Sequence, residues 1–302
     1  MEFIKSGTKI DFMGKRLAAF IISSLLIIAG IVSLIVHGGP NYGIDFAGGT
    51  LIQVRFSQPV TAGEIRESLK DVGLTGTIQR FGAEGVGEYL IRLQTSSSDL
   101  EGLSATIKDA LAKRFGKDTF EIRRTEMVGP KVGKDLRRKG LQAIIFALIG
   151  ILIYISLRFK FRFAVGAVVA LAHDVMITVG VFSLTNKEFS LPVLAALLTI
   201  VGYSLNDTIV VYDRIRENMG RMRREILEKT INISINETLS RTILTSFTTI
   251  IVVLILFLMG GGVIHDFTFA LLIGIVVGTY SSIFVASPLV VLWEKRFPTK
   301  QR

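Results

Sequence analysis

The stretch that decides the fold is Phe189–Tyr212, FSLPVLAALLTIVGYSLNDTIVVY, a run of 24 residues with one charged side chain. A bilayer core needs about 20 apolar residues at a rise of 1.5 Å each, so this run can cross it. The charged residue, Asp207, costs roughly 2.5–3.5 kcal/mol there on insertion scales. Such carboxylates usually face a protein interior or a water path. We interpret Asp207 as a candidate proton or ion site, and the alternative is a structural hydrogen bond between helices.

The whole chain has the composition of a membrane protein. Half of its 302 residues are hydrophobic, and the mean hydropathy is +0.53. A net charge of +10 is also typical of nucleic-acid binding, but the basic residues cluster beside apolar runs, where they set topology. The absence of cysteine excludes disulfides and thiolate metal sites. We predict neither a metal site nor a cofactor.

Five further runs reach spanning length, so the sequence predicts a multi-pass α-helical membrane protein with six transmembrane helices. The predicted spans are residues 17–36, 141–157, 163–184, 189–212, 242–259 and 267–293. The first span follows a basic N-terminus. Because its apolar core is long and no small-x-small cleavage site follows, we interpret it as a retained anchor rather than a signal peptide.

Basic residues cluster on one side of these spans. Residues 1–16, the connections after the second and fourth spans, and residues 294–302 are rich in Lys and Arg. The positive-inside rule therefore predicts that both termini are cytoplasmic and that residues 37–136 are exported. The basic cluster Arg137–Lys139 disagrees with this orientation, but long translocated segments often escape the rule.

Residues 37–136 are long enough for one small domain. Alternating apolar residues predict strands at 50–57, 75–81, 88–95 and 119–128. Capping boxes at Thr61–Glu64 and Ser98–Glu101 predict the starts of two helices, and FGAEGVGE (81–88) suits a hairpin loop. The order β-α-β-β-α-β predicts a ferredoxin-like α+β domain. We interpret it as a moving or binding part, because its acidic residues show no metal-ligand spacing.

Glycine-rich junctions flank this domain. Gly48 and Gly49 follow the first span, and Gly129 and Pro130 precede the second. Glycine and proline favour tight or left-handed turns. We predict either a hinge that couples the domain to the helices or a plain linker.

Polar side chains near Asp207 are its candidate partners. Tyr203 lies one helical turn before it, and Asn206 lies beside that row. Arg241 and Thr245 begin a polar stripe on the fifth span, at a depth similar to that of Asp207. An arginine partner favours the ionised carboxylate and burial opposes it, so a balanced site can load and release a proton. We predict Asp207 and Arg241 as the proton-transfer pair.

His173 and Asp174 form a second candidate pair near mid-depth of the third span. A row of small or polar residues at i, i+4 spacing passes through it: Gly166, Ala170, Asp174 and Thr178. This row predicts that Asp174 faces neighbouring helices, where the pair either extends a proton relay or braces the bundle. A similar row on the sixth span predicts close helix packing. It consists of Ala270, Gly274, Gly278, Ser282 and Ala286.

Five motifs occur in a specific order and cover nearly the whole chain. They are GIDFAGGT (43–50), VGPKVGKDL (128–136), AHD (172–174), SLNDTIVVYDRIREN (204–218) and SRTILTSFTT (240–249). Together they resemble the SecF family, the smaller subunits of the bacterial SecDF accessory complex for protein export. The resemblance is to a free-standing subunit rather than to one fused with SecD.

The resemblance implies a resistance-nodulation-division type half-bundle that pairs with the six helices of SecD. It implies that proton entry drives motion of periplasmic domains, which helps to draw preproteins from the SecYEG channel of the bacterial inner membrane. It also implies YajC as a further partner, and no enzymatic catalysis. Asp207 and Arg241 match the family's intramembrane Asp and Arg.

Two other functions stay open from the residues alone. One is half of a related proton-driven exporter of lipids or small molecules, although such exporters usually need larger exported domains. The other is a structural subunit in which Asp207 joins helices. A lone carboxylate beside hydroxyl groups suits a proton or a sodium ion, and the resemblance favours protons.

Overall fold

The computed structural model describes residues 8–81, 87–93, 100–260 and 262–297. The chain forms two compact units, a membrane unit (Met1–Asn41 with Gln142–Arg302) and an α+β domain (Tyr42–Leu141). The described part contains six helices that are long and apolar enough to cross a membrane, and one four-stranded antiparallel sheet. The predicted fold class is confirmed.

The elements follow one another in the predicted order. They are α1 (Arg16–Val36), α2 (Ile44–Ala47), β1 (Gly49–Phe56), α3 (Ala62–Lys70), β2 (Gly76–Phe81), β3 (Gly87–Leu93), α4 (Leu100–Phe115), β4 (Phe120–Val128), α5 (Pro130–Arg158), α6 (Phe161–Leu184), α7 (Leu191–Arg221), α8 (Leu227–Met259), α9 (Gly262–Ser281), a π-helical turn (Ser282–Ala286) and α10 (Ser287–Arg296). The last three elements are consecutive and together form the sixth span.

Three membrane helices extend beyond their predicted apolar cores. α5 begins at Pro130 rather than at 141, α7 ends at Arg221 rather than at 212, and α8 begins at Leu227 rather than at 242. Hydropathy locates the segment that meets lipid, whereas backbone hydrogen bonding continues through polar residues with good helix propensity, such as Arg and Glu. The number of spans is confirmed, and the predicted bounds describe the apolar cores of helices that continue beyond them.

Small residues allow the central helices of the membrane unit to approach closely. α6, α7 and α9 pack against one another, α1 packs against α6, and α8 packs against α7 and α9. A Cβ atom on Gly278 of α9 would lie 2.8 Å from the Cβ of Ser204 on α7. A Cβ atom on Gly30 of α1 would lie 2.7 Å from the Cα of Gly180 on α6. All five residues of the predicted sixth-span row are buried, which confirms that it is a packing surface.

The α+β domain has the predicted β-α-β-β-α-β order, with sheet order β2-β3-β1-β4. The alternation on β1 buries Ile52 and Val54 against the apolar faces of α3 and α4. The capping box on α3 is confirmed, since the Thr61 hydroxyl accepts from the Glu64 N–H at 3.3 Å and the Thr61 N–H donates to the Glu64 carboxylate at 2.8 Å. The latter bond holds the pKa of Glu64 below its usual value. Residues 82–86 of the predicted loop and 98–99 of the second capping box lie outside the described residues.

The two glycine-rich junctions contact each other. Gly48 and Gly49 have φ values of +79° and +124°, which disfavour any residue with a Cβ atom. A Cβ atom on Gly48 would also lie 2.8 Å from the Cα of Pro130, the first residue of α5. Glycine at 48 is therefore required by backbone conformation and by close approach, and a hinge role for Gly48, Gly49, Gly129 and Pro130 stays a prediction.

Candidate functional site

Asp207 lies in the core of the membrane unit, on the side of α7 that faces α8 and α9. Asp207 is 3% exposed. Ser246 on α8 donates to its Oδ2 atom at 3.4 Å, and no other described side chain makes a hydrogen bond or ion pair with the carboxylate. Ser246 also shares a hydrogen bond of 2.7 Å with Thr279 on α9. Because a buried charge is costly without partners, this carboxylate is poorly compensated when ionised.

Arg241 does not reach ion-pair distance of Asp207, contrary to the predicted contact. The side chain of Arg241 is exposed and lines a cavity at the polar end of α8. The prediction relied on depth, but contact also depends on rotation about the helix axis. Arg241 and Ser246 are five residues apart, which corresponds to a rotation of about 140°. α8 therefore brings Ser246 into hydrogen-bond contact with Asp207, whereas Arg241 interacts with the carboxylate only through its longer-range charge, and the proton-transfer role of Arg241 stays a prediction.

The other predicted neighbours also lie apart from the carboxylate. Tyr203 donates to Thr249 at 3.2 Å, and Asn206 is exposed. Thr245 donates to the backbone carbonyl oxygens of Arg241 and Thr242, each at 3.0 Å. The predicted polar stripe that begins with Arg241 and Thr245 is therefore not the inward face of α8.

A different row of hydroxyl residues forms the inward face of α8. It consists of Ser234, Thr238, Thr242 and Ser246, all buried and all at i, i+4 spacing. Sequence reasoning missed this row although its spacing was visible, because Arg241 beside it was the more conspicuous residue.

Asp174 joins three helices in the buried core, as its predicted inward orientation requires. The residue is 1% exposed. Its Oδ2 atom accepts from Ser204 on α7 at 2.6 Å and from Ser281 on α9 at 2.8 Å, and its Oδ1 atom lies 2.9 Å from Nδ1 of His173. Within the described residues no hydrogen bond connects this cluster with Asp207. The geometry therefore supports the bracing role of Asp174, and the relay role stays a prediction.

A chain of hydrogen bonds connects the His173 and Asp174 pair with α1. Tyr280 donates its single hydroxyl proton to the carbonyl of Ala19 at 2.8 Å, so it accepts from Ser23 at 3.1 Å. Ser23 then accepts from Nε2 of His173 at 3.0 Å. His173 is thus linked to α1 through Ser23 and Tyr280, and to Asp174 through Nδ1.

Replacing Asp174 by Asn or by Ala tests its bracing role. Asp174→Ala is expected to lower the free energy of unfolding by about 2 kcal/mol, because three hydrogen bonds worth about 0.6 kcal/mol each are lost. Asp174→Asn is expected to retain most of the stability, since its oxygen accepts from both serines and its amide group donates to Nδ1 of His173. Thermal unfolding in detergent compares the variants. Equal losses for Asn and Ala would contradict bracing of the helices by these hydrogen bonds.

Charged side chains line an open cavity where α5, α7 and α8 meet. Its volume is about 650 Å³, and it is lined by Arg158, Val210, Asp213, Arg214, Arg216, Glu217, Glu237, Thr238 and Arg241. Arg158 pairs with Asp213 at 3.0 Å, and Arg214 pairs with Glu237 at 2.6 Å. Thr238 belongs to both the cavity wall and the inward hydroxyl row of α8. The described part of the chain contains no cluster of three or more His, Asp or Glu that could hold a metal ion.

Two family models match the chain. Residues 107–296 match "Protein export membrane protein SecD/SecF, C-terminal", and residues 33–60, which include Gly48 and Gly49, match "SecD/SecF GG Motif". The first model alone covers more than half of the chain and includes Asp174, Asp207 and Arg241.

Known proteins are similar over almost the full length of this chain. Protein translocase subunit SecF of Magnetococcus marinus is 52% identical over 298 residues, covering 97% of this chain and 95% of the relative. Protein translocase subunit SecF of Escherichia coli O157:H7 is 41% identical over 294 residues, covering 96% of this chain and 90% of the relative.

Two solved structures share the fold. SecDF from Thermus thermophilus superposes with a TM-score of 0.84 at 39% identity, covering 96% of this chain and 39% of that chain. SecDF in a Super-membrane-facing form superposes with a TM-score of 0.69 at 39% identity. This match covers 98% of this chain and 40% of that chain. This chain thus spans about two fifths of the solved SecDF chains, whereas it spans 95% of the Magnetococcus relative. The chain belongs to the SecD/SecF family, among its SecF protein translocase subunits.

Proposed function

We propose that this chain is a proton-coupled subunit of the bacterial Sec export machinery that works with a six-helix SecD partner. Titration of Asp207 changes the packing of α7 against α8 and α9. The α+β domain follows this movement and promotes translocation and release of preproteins at the SecYEG channel. The observation that carries the proposal is a buried carboxylate with one long hydrogen bond on a central membrane helix.

The hydroxyl of Ser246 gives the titration of Asp207 a structural consequence. Ser246 has one proton and two acceptors, the Asp207 carboxylate at 3.4 Å and Thr279 at 2.7 Å. An ionised Asp207 attracts this proton, whereas a protonated Asp207 becomes a donor and leaves it to Thr279. Loading one proton therefore shifts the Ser246 hydrogen bond from α7 to α9, which favours different packings of the two helices around α8.

The inward hydroxyl row of α8 supports a route for the proton. Ser246, Thr242 and Thr238 follow one another at steps of about 6 Å along the helix, the rise of four residues. The Thr242 hydroxyl has no hydrogen-bond partner among the described residues, and Thr238 lines the charged cavity. Hydroxyl groups both donate and accept, so with water molecules bridging the successive steps this row would transfer protons between Asp207 and the cavity. The basic residues of the cavity support its assignment to the cytoplasmic side.

The surroundings of Asp207 favour a proton over a sodium ion. A hard cation requires several converging oxygen ligands. Ser246 supplies the single side-chain oxygen that hydrogen-bonds to this carboxylate within the described residues. One hydroxyl and one carboxyl group are too few to replace the hydration shell of a metal ion, whereas a proton needs no coordination shell.

An exposed polar face supports the SecD partner. Asn206 and Thr199 on α7 and Arg241 and Thr248 on α8 are exposed although they belong to membrane-spanning helices. Polar side chains within a bilayer are costly against lipid and usually face other protein elements. We therefore place a partner bundle on this face, with both termini of the chain in the cytoplasm and the α+β domain in the periplasm. SecYEG and YajC stay predicted partners.

A photo-reactive benzophenone side chain tests the partner face. Placed at position 206 instead of Asn206, it is expected to cross-link to co-expressed SecD in membranes. Placed at position 25 instead of Leu25, an exposed apolar residue of α1, it is expected to give no such product. Cross-linking is read by electrophoresis and mass spectrometry. Equal yields of the SecD adduct from both positions, or none from position 206, would contradict the proposed face.

A further inference from the structure

A groove separates the beginning of α6 from the end of α10, on the outside of the membrane unit. Its volume is about 230 Å³. Its walls are apolar along most of the length, where Val165, Val169 and Leu289 line it. Arg162, Trp293 and Arg296 line its polar end. The groove thus combines an apolar channel with a basic mouth.

Arg162 is a buried cation at this mouth. Its side chain is 5% exposed and forms an ion pair with Glu294, and Nη2 contacts the sulfur of Met219 at 3.7 Å. Its Nε atom is buried and has no hydrogen-bond partner among the described residues. A buried donor without an acceptor is destabilising, so an anionic group at the mouth would stabilise this cation.

Three further positive features lie at the mouth or beside it, since Arg296 lines the groove and Lys160 precedes the N-terminus of α6. Arg296 and Lys160 are exposed, and neither forms an ion pair within the described residues. Lys160 precedes α6 without a side-chain cap, so the first N–H groups of this helix also point out of its N-terminus. Helix N-termini attract anions through these N–H groups and through the helix dipole. Glu294 pairs with Arg162, and the two further cations Arg296 and Lys160 give the described side chains at and beside the mouth a net positive charge.

Aromatic residues mark the depth of the mouth. Trp293 contacts Phe161 and Phe297, with ring centroids 5.9 and 5.2 Å apart. Tryptophan is enriched at the level of the lipid headgroups. The basic mouth therefore lies at headgroup level, and the apolar walls extend from it toward the hydrocarbon.

We infer that this groove binds one anionic phospholipid. The headgroup phosphate lies near Arg296 and the N-terminus of α6, and an acyl chain lies against Val165, Val169 and Leu289. Charge complementarity selects an anionic headgroup, because basic pockets between membrane helices recognise such lipids.

The single tryptophan of the chain reports directly on this groove. Trp293 is the one Trp in the sequence. The full chain is reconstituted in phosphatidylcholine vesicles that contain increasing fractions of acyl-brominated phosphatidylglycerol or acyl-brominated phosphatidylcholine. Brominated phosphatidylglycerol is expected to quench Trp293 at an approximately fivefold lower mole fraction, the effect of about one basic side chain near a membrane surface.

Matched variants separate the groove from the general basic charge of the protein. Arg296→Gln is expected to abolish the preference for phosphatidylglycerol. Arg224→Gln, which removes an exposed arginine that does not line the groove, is expected to retain it. Equal quenching by both brominated lipids, or a preference that survives Arg296→Gln, would overturn the inference. Insensitivity to both lipids would also overturn it, because a protein chain would then cover the groove.

Discussion

Asp207→Asn is expected to abolish the part of preprotein export that depends on the proton-motive force. Asparagine has the size of aspartate and still accepts a hydrogen bond from Ser246, so the helices are expected to assemble normally. The amide group does not titrate, however. The hydrogen bond of Ser246 therefore no longer shifts between its acceptors on α7 and α9 when the pH changes. The measurement is translocation of a labelled preprotein into inverted membrane vesicles. The difference in translocation with and without an ionophore gives the part that depends on the proton-motive force.

Two controls distinguish the loss of a titratable group at Asp207 from a loss of assembly. Asp207→Glu keeps a titratable group and is expected to retain part of the stimulation. The amount of SecD complex in the membranes, measured in parallel, is expected to be unchanged for both variants. Full stimulation of export by Asp207→Asn would contradict a proton site at Asp207 and would favour a structural hydrogen bond.

Gly278→Leu is expected to disrupt the packing of α9 on α7. A Cβ atom at this position would lie 2.8 Å from the Cβ and 3.0 Å from the Oγ of Ser204, which also donates to Asp174. Overpacking a well-packed core costs about 1–3 kcal/mol, and the lost bond to Asp174 adds to this cost. We therefore expect a lower free energy of unfolding and less assembled protein, measured by thermal unfolding in detergent and by membrane yield.

Gly150→Leu is the matched control for Gly278→Leu. Gly150 lies on α5, is exposed, and a Cβ atom there would have no heavy atom within 4 Å. The same substitution is expected to leave stability almost unchanged at this site. Similar losses for the two variants would show that leucine is harmful in any spanning helix, and that the contact between Gly278 and Ser204 is not a tight one.

Local patterns were sufficient to predict most of the fold. Apolar runs predicted the number of spans, because crossing a bilayer imposes a minimum length on each one. Alternation on β1 and the capping box at Thr61 predicted the β-α-β-β-α-β domain, because both signals depend on residues close in sequence. The row through Gly278 predicted helix packing, since i, i+4 spacing places small residues on one face.

The partners inside the membrane unit could not be predicted in the same way. Depth placed Arg241 near Asp207, but the rotation of α8 about its axis decides which side chain makes contact, and that side chain is Ser246. Ser204 and Ser281 come from two other helices to meet Asp174. Serine is common in membrane helices, so these donors become recognisable only when tertiary packing brings them together.

Proton flux tests the role of Asp207 most directly. Vesicles that contain this chain together with SecD, and a pH-sensitive dye in the lumen, are exposed to an imposed pH gradient. The wild-type complex is expected to carry protons down the gradient, Asp207→Asn is expected to carry none, and a sodium gradient alone is expected to drive no change in luminal pH. Equal proton flux through the wild-type and Asp207→Asn complexes would contradict proton transfer at Asp207.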